Sequence, residues 1–180
     1  MTTELEDHLI SRNEELLDEH KIQEAETVAK EVLDLDPEDA LPLYIYGRTL
    51  YMEEKFDDAL SYLSKAAQLD RERPEVWQVI GYCLIAMGRY QEAVQPLEYV
   101  VAVQPDNVEA RYTLGIVYLI LGDDRYEKII RSAFEMSKQR SVRLAEQVYL
   151  RYISKSSEVD PHTKSVIERV IERLKMPEQI

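Results

Sequence analysis

The chain has 180 residues, 45% hydrophobic and 32% charged, a composition that argues for a folded domain and against disorder or a membrane-embedded chain. Its net charge is −13, and 14 acidic residues face only 3 basic ones in Met1–Ala40, which argues against nucleic acid or an anionic membrane as the main partner. A single cysteine, Cys83, excludes an internal disulfide. The start, MTTELEDHL, is acidic and lacks an apolar run, so no signal peptide is expected. The longest apolar stretch, Leu114–Leu121, is too short to cross a bilayer, so no membrane insertion is expected and the expected setting is cytoplasmic. Five glycines set against abundant Glu, Ala, Leu and Lys favour helix throughout.

Taken in order, the predicted elements repeat. Gly47, Gly81 and Gly115 lie 34 residues apart. Ala25, Ala59 and Ala93 share that spacing, as do Gly88 with Gly122, Leu63 with Leu97, and Leu35, Leu69 and Val103. A first copy, about 6–39, keeps Leu16, Ala25 and Pro37 in register but has Asn13 where the small residue belongs. The second, about 40–73, reads Leu43, Tyr46-Gly47, Leu50, Phe56, Ala59, Leu63 and Ala66. The third, about 74–107, reads Trp77, Ile80-Gly81, Leu84, Ala93, Leu97 and Pro105. The fourth, about 108–141, reads Leu114-Gly115, Tyr118 and Leu121-Gly122, then drifts, with Asp124 in the place of the aromatic and Glu127 in that of the alanine. Beyond Ser141 two helical stripes follow, Ala145, Val148, Tyr149, Tyr152, Ile153 and Val166, Ile167, Val170, Ile171, Leu174, separated by Ser154–Ser157. They predict a closing helical pair, about 142–175, since a stack of repeats must cover its apolar end. The whole, 1–180, reads as one domain.

Physical reasons for the pattern lie in helix packing. Glycine inside a helix costs roughly 1 kcal/mol against alanine, so Gly47, Gly81 and Gly115 predict close helix crossings, with Ala59 and Ala93 on the opposite side. Gly88 and Gly122 suit left-handed helix ends, and Pro42, Pro74 and Pro161 suit first turns, the last behind an Asp160 cap. Pro96 falls inside a predicted helix, about 90–103, and is expected to bend it.

These residues resemble the tetratricopeptide repeat family, whose signature is an aromatic, a Leu-Gly pair, a large residue, an alanine, another large residue and a closing proline. The resemblance covers about 6–141 and implies an all-α, right-handed α-solenoid of helix-turn-helix pairs, about ten helices with the closing pair. It also implies that the first helix of each repeat lines a concave groove. Carried over repeat by repeat, the groove residues are Tyr44, Arg48 and Tyr51, then Gln78, Tyr82 and Ile85, then Tyr112, Ile116 and Leu119, with Ile10, Glu14 and Leu17 in the first copy. The basic clamp with which some members hold a C-terminal carboxylate is missing, because Gln78, Tyr82, Tyr112 and Ile116 occupy those regions. The implied function is non-catalytic binding of an apolar or amphipathic segment of a protein partner, which tyrosine suits through large area and a polar tip.

No enzyme is expected: His8, His20 and His162 lie far apart, no phosphate loop occurs, and no cofactor or metal set is present in the sequence. Asp34–Asp39 is calcium-like in composition but lacks the turn glycine and closing glutamate, and is read as an inter-repeat corner. Cys83 reads as a buried thiol and Trp77 as a packing residue. Two further readings are a cytoplasmic chaperone for secreted subunits, similar in style to type III secretion chaperones, and self-assembly of acidic front on basic back (Arg125, Lys128, Arg131, Lys138, Arg140, Arg143).

Overall fold

The computed structural model describes residues 2–175, and all regular structure among them is helical. The chain ends, and the side chain of Leu174 expected in the last stripe, lie outside the described residues. Met1–Cys83 and Leu84–Ile180 form two compact units. The first holds α1 (Thr2–Asp18), α2 (Ile22–Leu35), α3 (Ala40–Met52), α4 (Phe56–Leu69) and most of α5 (Pro74–Ala86). The second holds the end of α5, then α6 (Tyr90–Val103), α7 (Val108–Leu121), α8 (Arg125–Met136), α9 (Lys138–Val148), a π-helical turn (Tyr149–Ile153) and α10 (Pro161–Lys175). The starts of α3, α5 and α7 at residues 40, 74 and 108 carry the sequence period into the backbone.

Within the first unit α1 packs on α2, α2 on α3, and α3 on α4, while α1 also reaches α3. Within the second, α6 packs on α7, α7 on α8, and α9 on both α7 and α8. α2 thus covers its own first helix and the next, and so does α8. The crossings are as tight as the small residues imply. A Cβ on Gly47 would stand 2.8 Å from Leu63 Cγ, and one on Gly115 would stand 2.4 Å from Ile130 Cγ1. Ala59 and Ala93 are wholly buried.

The drift in the fourth repeat is a register slip. Buried Leu63 and Leu97 recur at Ile130, and Ala66 and Val100 at Ala133, each one residue short of the period. Glu127 therefore faces outward and does not stand in the alanine position. Asn13 has a comparable explanation. It is wholly buried, and its Nδ2 donates to Ala25 O at 2.8 Å and to Thr49 Oγ1 at 3.2 Å. Where other repeats bring helices together over glycine, the first ties three helices with a polar side chain.

Gly88 and Gly122 have φ of +73° and +70°, as their cap role requires. The same left-handed turn is built from His20 (φ +57°) and Glu54 (φ +62°) in the first two repeats. At every turn the following amide reaches back five residues, Lys21 N to Leu16 O, Lys55 N to Leu50 O, Arg89 N to Leu84 O and Asp123 N to Tyr118 O, at 2.8–3.0 Å. A left-handed residue with a Cβ is strained by about 1–2 kcal/mol. Exposed Glu54→Gly should therefore stabilise the chain, by about 0.5–1 kcal/mol after glycine's extra unfolded-state freedom is discounted. Thermal unfolding should move up by about 2–4 °C; a lowered midpoint would show that the Glu54 side chain contributes more than its backbone costs.

Corners and caps use the expected polar residues. Asp36 Oδ1 accepts from Glu38 N and Asp39 Oδ1 from Leu41 N, so the Asp34–Asp39 stretch closes a turn and caps α3. Asn107 caps α7 through Ala110 N, and Asp160 caps α10 through His162 N and Thr163 N. Pro96 is buried inside α6, which runs on through it to Val103. Trp77 is half-buried, and its Nε1 donates to Arg71 O at 2.9 Å, so it pins the loop before α5 from the edge of the core.

Candidate binding surface

In the first unit the predicted groove residues of α3 and α5 form two linked clusters. Tyr51, 7% exposed, lies 6.0 Å from the Phe56 ring centroid and 6.2 Å from that of Tyr82. Gln78 Nε2 donates to Tyr82 Oη at 2.7 Å, which fixes the phenol at the α5 edge. Tyr44 and Arg48 make the second cluster, one turn apart on α3. Arg48 Nη1 is 3.6 Å from Glu14 Oε1 of α1, a loose pair that leaves the guanidinium partly exposed. Burial pushes the Tyr44 phenol above its ordinary value; Arg48 and Arg73 pull against that, and Glu75 and Glu14 add to it. Glu14, Arg73 and Glu75 thus belong to the electrostatic surroundings of this surface; a reading of groove positions on single helices does not find the latter two.

Of the first-copy residues, Ile10 is half-buried and Glu14 exposed, whereas Leu17 is packed in the core with Leu16 and Ala25. Tyr51 likewise serves the packing of α3 on α4 as well as any surface. What stays half-buried and accessible is Tyr44, Arg48, Gln78 and Tyr82.

The second unit is different. Ile85 and Ile116 are buried, Tyr112 is wholly buried and Leu119 half-buried. The Tyr112 hydroxyl has no hydrogen-bond partner, and burial raises its pKa well above the usual phenol range. α7, which carries Tyr112, Ile116 and Leu119, is packed by α6, α8, α9 and α10.

The arrangement offers shape and hydrogen bonding. Cys83 is wholly buried and its thiol is pushed up to about 12 by desolvation, so it is no nucleophile at neutral pH. No group of His, Cys, Asp and Glu among the described residues is placed to hold a metal ion. No described helix is long and apolar enough to cross a membrane. Of the basic residues at the back, Arg125 is committed to Glu98 and Asp123 at 2.8 and 2.7 Å and stacks 4.2 Å from the Tyr118 ring centroid.

Repeated helix pairs with small-residue crossings and tyrosines on the first helices define an α-helical repeat protein. The chain carries tetratricopeptide repeat sequence and has the fold of such proteins. The tetratricopeptide repeat model matches residues 80–124, and the model of anaphase-promoting complex, cyclosome, subunit 3 matches residues 18–100. A curated relative, the human (Homo sapiens) intraflagellar transport protein 88 homolog, is 32% identical over 54% of this chain and 11% of its own length. The chain spans between 9% and 25% of the curated relatives it matches. Among solved structures, Pseudomonas aeruginosa pilF superposes with a TM-score of 0.69 at 18% identity, covering 97% of this chain and 93% of that one. YrrB, described as a TPR protein with an unusual peptide-binding site, superposes with a TM-score of 0.66 at 17% identity, covering 95% and 86%.

Proposed function

We propose that the chain is a non-catalytic protein-interaction module that holds an apolar or amphipathic segment of a partner protein against the first helices of its repeats. The observation that carries this reading is the accessible set on α3 and α5: two phenols, an amide and a loosely paired guanidinium around buried Tyr51. Such a set gives contact area from tyrosine, direction from Gln78 and Tyr82, and one charge to fix the register of the bound segment. The peptide-binding site named for YrrB lends support by likeness of fold.

Because Tyr51 also holds α3 to α4, its truncation would mix stability with binding. The cleaner test is the Arg48→Ala, Tyr82→Ala double variant, which removes two half-buried side chains and keeps Tyr51 in place. In affinity capture from native lysate, quantified by mass spectrometry against wild type, the specific partner should fall about tenfold or more while helicity is unchanged. Equal recovery from both chains would sink this surface as the binding site.

A further inference from the structure

The last helix departs from the packing rule of the others. α2 lies between α1 and α3, and α8 between α7 and α9, but α10 touches α9, the π-helical turn and α7. It has turned back toward an earlier first helix. The link into it, residues 154–160, reaches further back still. Tyr90 Oη donates to Ser156 Oγ at 3.1 Å, and Glu158 Cγ lies 2.9 Å from where a Gly88 Cβ would stand. Lys164 Nζ holds the link by donating to the carbonyls of Ser154 and Ser156 at 3.1 and 2.7 Å.

The α7 face differs from its counterparts in the same sense. Tyr112 and Ile116 are 0% and 1% exposed, whereas the matching Tyr44 and Arg48 of α3, and Gln78 and Tyr82 of α5, are half-buried. Tyr112 has lost its water without gaining a partner for its hydroxyl, an arrangement whose desolvation penalty goes unreturned. A π-helical turn, closed by Ser154 N donating to Tyr149 O at 2.9 Å, stands directly before the link; such turns interrupt regular helix and are frequent at functional sites. α10 is itself an amphipathic helix, burying Ile167 and Ile171 and exposing Glu168, Arg169, Glu172 and Arg173. It has the chemistry of the segment that the first-helix surface is built to take.

From this packing we propose that α10 is a displaceable occupant of the α7 face, covering it at rest and yielding it to a partner segment by competition. The inference rests on the reading of the first-helix faces as the binding surface. The α7 face is then closed in the resting chain, while the α3 and α5 surface of the first unit stays accessible.

The probe is a fluorescein-labelled synthetic peptide of residues 159–175, titrated against the full chain and its Ile167→Asp variant. A seated α10 multiplies the apparent affinity by the small open fraction, so the variant should take the peptide at least about tenfold more tightly than wild type. Equal binding by the two chains, or none by a variant that keeps its helicity, overturns the proposal. Should Ile167→Asp fail to fold, Tyr90→Phe decides by hydrogen exchange, because it removes only the bond to Ser156. Faster exchange confined to residues 159–175 supports a displaceable helix. No change, or one common rate across α7, α9 and α10, overturns it, since α10 is then part of the cooperative core. The Arg48 and Tyr82 variant reads the first unit alone, so the two proposals fail separately.

Discussion

Gly115→Val is expected to lower stability by about 3 kcal/mol or more, the midpoint of urea unfolding falling accordingly. The first added carbon already meets Ile130 Cγ1 at 2.4 Å and Ile129 Cγ2 at 2.9 Å, closer than carbon atoms pack. Two further methyl groups have nowhere to go except by separating α7 from α8. Better helix propensity returns less than about 1 kcal/mol, which does not offset the loss. Gly122→Ala is the control. Nothing lies within 4 Å of its Cβ, but φ is +70°, so the cost there is conformational, about 1–2 kcal/mol. A Gly115→Val chain as stable as Gly122→Ala would mean that the crossing can open without penalty.

That glycine also shows what the sequence makes legible. Its spacing from Gly47 predicts a close crossing, because no other feature of a helix interior compensates for glycine there, and the packing of Leu63 and Ile130 bears this out. Glycine caps were legible for the same reason at Gly88 and Gly122, and not at His20 and Glu54, where the turn repeats without its marker residue. The offset alone could have found them. Glu127 misled because the buried positions of α8 fall one residue short of the period, and a fixed period reads such a slip as divergence. The burial of Tyr112 and Ile116 was not legible from their positions in the repeat. It depends on how α6, α8, α9 and α10 pack on α7, a tertiary outcome that the repeat spacing does not record.

Asn13 is the other position where a single change should have a large effect. Its amide donates to Ala25 O and to Thr49 Oγ1, while the Thr49 hydroxyl donates to Ile45 O at 2.9 Å. Both neighbours thus present acceptors to Asn13. Asn13→Asp would set a carboxylate oxygen against the Ala25 carbonyl in a wholly buried site. An uncompensated buried charge costs about 3–5 kcal/mol, so at pH 7 the variant should unfold well before wild type. The sign of its pH dependence follows from burial. Desolvation and facing acceptors raise the folded-state pKa of the new carboxyl above its unfolded value of about 3.9. Between those two values the folded chain holds a proton that the unfolded chain has released, so the folded state gains relative stability as pH falls through the window. The protonated acid can also donate to Ala25 O, as the amide did. The gap between the variant's and the wild type's melting temperatures should therefore be wide at pH 7 and narrow towards pH 4. A gap that stays constant over that range would mean that water reaches the site and that Asn13 is not the dry junction of α1, α2 and α3.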